Sequence, residues 1–356
     1  MTTQNTDVLI IGAGLTGLTL AYLLKDLNIK TTIIEANNRI GGRIITRRNT
    51  NEAPVDLGAT WLVPQQTNVL NLLKALNIEV FEQYYGKTAI YQPNPTKQPQ
   101  LVSLPNHDSV SYRITNGTQT LIETLKNQLD HTTIQTNTNA VSIQLKAENL
   151  EVQTNKQTFY SKYVVSTLPP ALFNQNISIT PKLPSVITDV LTKTHTWMHN
   201  SIRVGFTYKT PFWKHPQSSG TIYANSGSLQ EFYDHSNAKQ SLYALSGFMS
   251  ANMADLDQAK RKQLALEQLT SYYGDIALEY LSYEECIWKN QKHTTHTTDN
   301  VVMPQQNNGH PLYKTPYLNK KLFIAGAETS PLFSGKMEAA VTSAMHVFNS
   351  LKAEIN

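Results

Sequence analysis

Three glycines near the N-terminus constrain the fold of this chain more than any other feature. They lie in the segment Gly12-Ala-Gly-Leu-Thr-Gly17, which follows an apolar run at residues 8–11 and precedes apolar residues at helical spacing over residues 15–27. A second β-forming run, Thr31-Thr-Ile-Ile-Glu35, ends at an acidic residue. A strand, a glycine turn, a helix, a second strand and an acidic residue in this order predict a βαβ unit that binds a dinucleotide.

Each glycine has a physical role in such a unit. Gly12 permits the tight turn after the strand, Gly14 lets a pyrophosphate approach the backbone, and Gly17 lets the helix pack closely on the strand. The helix N-terminus offers free N–H groups and a partial positive charge to the phosphates. Glu35 is placed to accept hydrogen bonds from a ribose hydroxyl pair. The unit by itself fits NAD and FAD equally.

Composition narrows the class of protein. The 356 residues are 40% hydrophobic and 16% charged, which is ordinary for a globular chain, and their number favours two intertwined domains. The formal charge of +4 is small and scattered, which argues against a nucleic-acid partner. Cys286 is the only cysteine, which excludes an internal disulfide. No apolar run is long enough to span a membrane, and we expect a cytoplasmic enzyme.

The two ends of the chain share a strand-then-helix pattern. Residues 321–326 form an apolar run that leads through Glu328 and Gly335 into an amphipathic helix. The apolar run at residues 163–168 stops at two prolines, which cannot donate to a strand ladder. We therefore predict an α/β protein in which both ends build one nucleotide-binding domain around a substrate domain. The predicted nucleotide-domain parts are 1–80, 113–170 and 311–356, and the substrate-domain parts are a short insertion at 81–112 and an α+β region at 171–310.

The segment after Glu35 bears on the choice between NAD and FAD. Arg39-Ile-Gly-Gly-Arg43 sets two consecutive glycines where a second backbone approach to the ligand is possible. With this segment the chain resembles the flavin amine oxidase family, which includes monoamine, polyamine and L-amino-acid oxidases. The resemblance implies a Rossmann-like FAD domain of the glutathione-reductase type with an inserted α+β substrate domain. The matching stretches, in the family's order, are residues 12–17, 35–36, 39–43, 56–61, 163–170 and 322–344.

The resemblance also implies how FAD is held. Glu35 would bind the adenosine ribose, Val141 would pair with the adenine edge through its backbone, and Met337 would offer its N–H to the pyrimidine ring. Arg39 and Val141 have plainer alternatives, as a salt-bridging residue and a core residue. The full set of implied cofactor-binding residues is Gly12, Gly14, Leu15, Thr16, Gly17, Glu35, Ala36, Arg39, Gly42, Arg43, Gly58, Ala59, Thr60, Trp61, Val141, Gly326, Glu328 and Met337.

The only cysteine bears on how the flavin is attached. Members of the family that bind flavin covalently use a Cys that follows a Trp late in the substrate domain. Trp288 matches that Trp, but the expected Cys position is near Thr297, and Cys286 lies before the Trp. The resemblance therefore implies non-covalent FAD.

The reacting centre departs from the family pattern at Arg203. Amine oxidases of the family carry a Lys on a substrate-domain strand before a Phe-Trp pair, and this Lys holds a water against flavin N5. The corresponding strand here, residues 201–208 before Phe212 and Trp213, has Arg203 at that position. Strand alternation sets Arg203 opposite the apolar face, where it fits a cavity wall or a solvent-facing edge. An arginine stays protonated, so it could hold water or a carboxylate but could not act as a general base.

A second departure concerns the two aromatic residues that sandwich the amine in monoamine oxidases. Their positions correspond to Lys336 and to a residue near Thr298, and neither is aromatic. Trp288, Trp61 or a neighbouring Tyr could supply aromatic surface instead. Beside the flavin, Lys336 would repel a cationic amine and favour an anionic, zwitterionic or neutral substrate; it could equally point away from the cavity. We take Arg203, Trp288 and Lys336 as the candidate catalytic residues.

These features predict an FAD-dependent oxidoreductase that takes a hydride from the C–N unit of an amine or amino acid. Oxygen is the expected electron acceptor, no metal is expected, and a homodimer is possible because a partner chain could supply the lid. His293 and His296 lie three apart, but no carboxylate or cysteine completes a metal set. The alternatives are a flavoenzyme acting on C–C bonds, as desaturases and protoporphyrinogen-type oxidases do, and a flavin-binding protein without oxidase activity.

Overall fold

The computed structural model describes residues 2–94, 97–104, 110–215, 218–294 and 302–355. Two sheets organise these residues. The helices are α1 (Leu15–Leu24), α2 (Thr67–Ala75), α3 (Gln119–Asn127), α4 (Pro170–Asn176), α5 (Ser185–Thr192), α6 (Gln258–Tyr273) and α7 (Met337–Ile355). The strands are β1 (Thr3–Ile11), β2 (Thr31–Ile34), β3 (Thr46–Arg47), β4 (Val55–Asp56), β5 (Val80–Glu82), β6 (Thr88–Gln92), β7 (Gln100–Ser103), β8 (Tyr112–Ile114), β9 (Thr133–Gln135), β10 (Ala140–Leu145), β11 (Leu150–Thr154), β12 (Thr158–Ser166), β13 (Ser178–Thr180), β14 (Ile202–Tyr208), β15 (Lys214–His215), β16 (Ser218–Ser219), β17 (Thr221–Ala224), β18 (Leu229–Asp234), β19 (Tyr243–Met249), β20 (Tyr280–Ile287) and β21 (Leu322–Ile324).

The larger sheet joins the two ends of the chain. Its strands run in the order β13-β10-β11-β12-β1-β2-β9, and β21 pairs with the last residues of β12. Strands β9, β2, β1, β12 and β21 are parallel to their neighbours in this set. Alternate residues of β1 enter two apolar cores: Val8 and Ile10 pack with α1 and α7, whereas Leu9 and Ile11 pack on the opposite face with α5. The α/β fold with a parallel sheet is the predicted one.

One predicted strand is two strands. The sequence favours a single strand over residues 134–143, but β9 ends at Gln135 and β10 begins at Ala140. Between them the chain leaves the sheet, because Asn137 adopts a positive φ of 53° and the Thr138 N–H bonds to the Glu35 carbonyl at 2.8 Å. The interruption brings this loop against the end of β2, beside the predicted ribose-binding residue.

The smaller sheet is mainly antiparallel, with the order β20-β14-β19-β18-β17-β6-β7. Its strand β14 is buried at every residue, since α6 packs on one face and residues 53–57 pack on the other. A Cβ on Gly205 would lie 2.4 Å from Val55 Cγ1, so this glycine permits close contact with the loop. Strands β6 and β7 come from the predicted insertion and extend this sheet; the domain boundaries themselves stay a prediction.

Among the described residues, no helix has both the length and the hydropathy that crossing a bilayer requires.

Candidate active site

A cleft opens at the N-terminus of α1, where the parallel strands of the larger sheet end. It encloses about 710 Å³, counting the solvent at its mouth. Gly14 is the N-cap residue of α1, and within the described residues no side chain forms a capping hydrogen bond there. The first N–H groups of α1 are therefore available to a ligand in the cleft. The cleft is lined by Gly12, Gly14, Leu15, Thr16, Glu35, Asn37, Gly41, Gly42, Arg43, Ile44, Ala59, Thr167, Leu168, Pro169, His293, Thr294, Ala327, Gly335, Lys336, Met337 and Ala340.

The glycines of the first turn are present for two different reasons. A Cβ on Gly17 would lie 2.1 Å from the Gly12 carbonyl oxygen, so Gly17 is required by packing. Gly14 has an ordinary φ of −78°, and a Cβ there would meet no atom closer than the Gly42 Cα at 3.9 Å. Packing therefore does not require Gly14 to lack a side chain. Its hydrogen keeps open a space between two glycines at a helix N-terminus, which suits a phosphate group.

Glu35 lies at the edge of this cleft, as the sequence predicts. Its carboxylate accepts hydrogen bonds from the Ala13 N–H at 2.9 Å and from the backbone and side chain of Asn37, each at 2.8 Å. It also borders a second, smaller pocket together with Ala36 and Ala140. Val141 lies beside that pocket at a β-bulge, with its side chain exposed rather than in the core.

Two arginines act differently in the loop after β2. Arg39 donates to the carbonyls of Ile40, Gly42 and Ile44, which fixes the course of the loop, and it does not line the cleft. Arg43 lines the cleft and forms a two-point ion pair with the fully buried Glu328, at 2.6 and 3.0 Å.

The last helix completes the cleft. α7 begins at Met337, and its N-terminus lies beside the cleft because Gly335, with a φ of 77°, turns the chain against Trp197. A Cβ on Gly335 would lie 2.7 Å from the Trp197 Cβ. Gly326, with a φ of 141°, donates its N–H to Ser343 on α7 and so fixes the loop from β21.

A larger cavity adjoins this cleft and lies against the smaller sheet. It encloses about 1950 Å³, counting open solvent. The cleft and the cavity share Arg43, Ala59, Gly335, Lys336 and Met337, so they adjoin each other at these residues. The remaining lining is mostly aromatic and polar: Gly58, Thr60, Trp61, Val63, Tyr85, Ser111, Trp197, Met198, Asn200, Ser201, Tyr223, Gln230, Glu231, Tyr233, Phe248, Met249 and Ala251.

Three aromatic rings surround the ring of Tyr233 in the cavity wall. The Tyr233 ring meets Trp61 edge-on at 5.2 Å between centroids, and it meets Tyr85 and Tyr223 edge-on at 6.1 Å. The Tyr233 hydroxyl donates to Glu231, two residues away on β18. Burial, reinforced by Glu231, raises the pKa of Tyr233. The cavity thus presents π-faces and one carboxylate, which together attract a cation.

Sequence reasoning included Trp61 and an unspecified Tyr, and it missed Tyr85, Tyr223, Phe248 and Glu231. A signal was available in β18, because strand alternation sets Glu231 and Tyr233 on one face. Tyr85 and Tyr223 lie far apart along the chain, so only the tertiary fold brings them together.

Arg203 lies directly behind the cavity wall and is fully buried. Its guanidinium stacks between the rings of Trp61, at 4.9 Å, and Phe248, at 4.4 Å. One nitrogen donates to the Asp56 carbonyl at 3.1 Å and to the Thr60 hydroxyl at 3.3 Å, and Nε and Nη1 have no partner. Burial lowers the pKa of Arg203 to about 10, which leaves it charged at neutral pH. The solvent-facing alternative is therefore wrong, and the side chain supports the wall.

Lys336 lies at the junction of the cleft and the cavity. Its ammonium sits over the Trp197 ring, 4.5 Å from the centroid. Burial lowers the pKa of Lys336, and the charge of Glu231 opposes that shift. Lys336 lines both spaces but is exposed to solvent, and its role toward a substrate stays a prediction.

Comparison with known proteins identifies the group to which this arrangement belongs. The model of the family described as flavin containing amine oxidoreductase matches residues 15–107 and 96–347. The chain belongs to this family. Among relatives, it is 24% identical to amine oxidase [flavin-containing] B of Mus musculus, over 95% of this chain and 84% of that protein. It is 23% identical to putrescine oxidase of Kocuria rosea, over 78% of this chain and 81% of that protein.

Solved structures share the fold. A putrescine oxidase bound to putrescine superposes with a TM-score of 0.83 at 19% identity, covering 99% of this chain and all of that one. Cyclohexylamine oxidase from Brevibacterium oxydans gives a TM-score of 0.83 at 16% identity, covering 98% of this chain and 99% of that one. A putative protoporphyrinogen oxidase from Exiguobacterium gives 0.74 at 14% identity, covering 99% and 100%. The amine oxidase architecture predicted from the sequence is confirmed.

FAD, the family's cofactor, fits the residues present in this flavin amine oxidoreductase. The space left open at Gly14 and Gly42 suits the phosphates, and Glu35 borders the adjoining pocket where a ribose and a purine would extend. α7 begins at Met337, which lines both the cleft and the cavity, and the positive end of this helix would stabilise the negative charge of a reduced flavin held there. The chain is an FAD-dependent oxidoreductase.

Two residues near the predicted reacting centre lie outside both spaces. Trp288 is fully buried among Val55, Leu57 and Cys286, and its indole N–H donates to the Leu57 carbonyl at 2.8 Å. It supports the loop behind the cavity instead of supplying the aromatic surface that the sequence suggested. Cys286 is buried in the same cluster, and burial raises its pKa to about 11.

Within the described residues, no set of three His, Cys, Asp or Glu side chains could hold a metal ion. His296, Thr297 and Thr298 lie outside the described residues, so the predictions that concern them have no structural counterpart here. His293 lies on the wall of the cleft.

Proposed function

We propose that this flavin amine oxidoreductase oxidises the C–N unit of a small amine or amino acid held in the aromatic cavity, with oxygen as the electron acceptor. One observation carries the proposal: a cavity with aromatic faces and a carboxylate adjoins the FAD cleft and shares five lining residues with it. The relatives named as amine, putrescine and cyclohexylamine oxidases support the same class of substrate.

When FAD is bound, it accepts the two electrons that the substrate loses. The substrate loses a hydride from the carbon that bears nitrogen and a proton from the nitrogen, and the C–N single bond becomes an imine. Water then hydrolyses the imine to ammonia and an aldehyde or keto acid. Oxygen takes up the two electrons with two protons and leaves as hydrogen peroxide.

The residues of the cavity bind and orient the substrate in this proposal. Tyr233, Trp61 and their neighbours exclude water and face the cation, and Glu231 accepts its hydrogen bonds. A hydride can leave only from a neutral amine, and Arg203 cannot accept the amine's proton because it remains charged. Arg203 is thus a positioning residue that fixes Trp61 and Phe248 from behind.

The cofactor assignments complete the proposal. We propose that Glu35 binds the adenosine ribose and that the Met337 N–H meets the pyrimidine ring. FAD is non-covalent, because Cys286 is the only cysteine and is buried in a cluster outside the cleft. A cytoplasmic location and a homodimer remain part of this proposal; cell fractionation and sedimentation of the holoprotein test them.

Product analysis in air tests the reaction class. We expect a panel of amines and amino acids to yield ammonia and hydrogen peroxide in equal amounts, and we expect deuterium on the carbon bearing nitrogen to slow flavin reduction. Oxidation of a C–C bond would yield peroxide without ammonia and would support the desaturase-like alternative. Flavin that no substrate reduces would support a binding protein without oxidase activity.

A further inference from the structure

The cavity contains two charged side chains whose charges are not neutralised by a bonded partner of opposite sign within the described part of the chain. The cavity lining includes three acidic or basic side chains, Arg43, Glu231 and Lys336. Arg43 is paired with Glu328. Glu231 accepts only the hydroxyl of Tyr233, and Lys336 rests on the ring of Trp197. Glu231 and Lys336 influence each other electrostatically but form no ion pair within 4.0 Å.

The two charges occupy different parts of the cavity. Lys336 precedes the first residue of α7 and lines both the FAD cleft and the cavity, so it lies where the two spaces adjoin. Glu231 lies on β18 and lines the cavity but not the cleft. A bound substrate therefore meets a cation near the flavin and an anion farther away.

Lys336 is exposed at the mouth of the cavity and Glu231 is half-buried, so each charge discriminates most between ligands whose own charged groups displace the water beside it. A simple diamine matches Glu231 with its distal ammonium, but its reacting end meets the ammonium of Lys336 with no opposite charge. A diamino carboxylic acid matches both: its carboxylate meets Lys336, its 2-amino group faces the flavin, and its distal ammonium meets Glu231.

We propose that Lys336 is the carboxylate anchor of this enzyme and Glu231 its distal-cation anchor, so that the preferred substrate is a short 2,ω-diamino acid. The proposal rests on the proposed amine-oxidising function and names its substrate class. The product would be the corresponding ω-amino-2-keto acid, formed with ammonia and hydrogen peroxide.

The test compares two molecules that differ only by a carboxylate, 2,5-diaminopentanoate and 1,4-diaminobutane. Anaerobic reduction of the bound flavin is followed for each with the holoenzyme. We expect the diamino acid to be favoured at least about tenfold in the ratio of reduction rate to dissociation constant, which corresponds to about 1.4 kcal/mol. Equal or better reduction by the diamine would overturn the proposal, whereas reduction by neither molecule nor by any other amine would overturn the proposed function itself.

Variants at Lys336 separate anchoring from other roles. Lys336→Met should lower the preference for the diamino acid about tenfold or more and raise the rate with the diamine, because a repulsive charge is removed. Lys336→Arg keeps the charge and should retain most of the preference. If Lys336→Met slows both substrates by the same factor, the lysine acts on the cofactor and the proposal fails.

A binding measurement without turnover gives an independent readout. The ligand 5-amino-2-hydroxypentanoate carries a hydroxyl in place of the reacting amine, and its binding is followed by the perturbation of the flavin spectrum. We expect Lys336→Met and Glu231→Gln each to weaken its binding about tenfold. Unchanged binding in the Lys336 variant would contradict the carboxylate contact even if turnover changed.

Discussion

The cofactor cleft and the adjoining cavity share part of their lining but differ in which atoms line them, backbone in the cleft and side chains in the cavity. The cleft presents mainly backbone, from the glycine turn before α1, the glycine pair in the loop after β2 and the start of α7. The cavity presents side chains from β18, β19 and the loops that face them. Backbone groups recognise phosphates whatever the neighbouring side chains are, whereas the choice of substrate depends on which side chains meet in the cavity. Changes in the two regions should therefore have separable effects.

The largest expected effect lies in the cleft, at Gly14. Gly14→Val should abolish FAD retention because its side chain would fill the space left for the phosphates, while the apoprotein still folds. Gly17→Val is the matched control: its Cβ would lie 2.1 Å from a backbone oxygen, so it should prevent folding. The flavin-to-protein absorbance ratio and circular dichroism measure both. Full flavin content in Gly14→Val would contradict the assignment of the cleft.

The next effect concerns stability beneath the cavity, at His235. This buried ring accepts the Asp56 N–H at 3.2 Å, and burial, followed by the charge of Arg113, lowers its pKa from 6.5 to about 4. Between these values the unfolded chain binds a proton that the folded chain does not, so stability falls as the pH drops from 6.5 towards 4, by about 3 kcal/mol in all. Urea unfolding across this range measures the loss.

His235→Gln should remove most of that slope, and the same change at the exposed His131 should leave it in place. Burial raises the pKa of Asp56, but its contact with His235 and its other hydrogen bonds lower it more, so the net pKa lies below the usual value. The stability that ionised Asp56 contributes is therefore lost only at still lower pH. A slope that survives His235→Gln would assign the acid sensitivity to other groups.

A smaller effect tests the cavity side of the comparison. Glu231→Gln should lower kcat/KM for a substrate with a distal ammonium about 10- to 100-fold, because a charged hydrogen bond contributes about 1.5–3 kcal/mol. Flavin content should not change, since Glu231 does not line the cleft. Glu267→Gln, at an exposed site on α6, is the control. A loss of flavin in Glu231→Gln would show that the two regions are not separable.

The smallest expected effect distinguishes two tryptophans. Trp288→Phe loses one hydrogen bond to the Leu57 carbonyl and should lower the free energy of unfolding by about 1 kcal/mol, with kcat/KM changed less than about twofold. Trp61→Phe alters the cavity face and should change KM. Steady-state kinetics with one amine compare the two variants. A larger loss of kcat/KM in Trp288→Phe than in Trp61→Phe would show that Trp288 acts at the reacting centre.

The sequence predicted the cleft better than the cavity for a physical reason. Glycines 12, 14 and 17 and Glu35 lie within one local βαβ unit, so their spacing along the chain already determines their geometry. Tyr223 and Glu231 face each other across the neighbouring strands β17 and β18, but Tyr85, just before β6, reaches them only because β6 pairs with β17, a long-range pairing that no local pattern indicates.

Arg203 and Trp288 also show that local patterns do not reveal long-range packing. Alternation along β14 correctly separates Arg203 from its apolar neighbours, but it does not reveal that residues 53–57 and the ring of Trp61 cover that face. Both side chains consequently lie one layer behind the cavity. Lys336 is different, because the positive φ at Gly335 and the start of α7 fix its place locally.

The central claim is that FAD bound between the two chain ends is reduced by an amine held in the adjoining cavity. Anaerobic titration of the FAD-reconstituted protein with primary amines and amino acids tests it most directly. The account predicts that at least one of them removes the flavin's visible absorbance, with one ammonia released per flavin reduced. A protein that takes up no FAD, or whose bound flavin stays oxidised with every amine and amino acid, would contradict it.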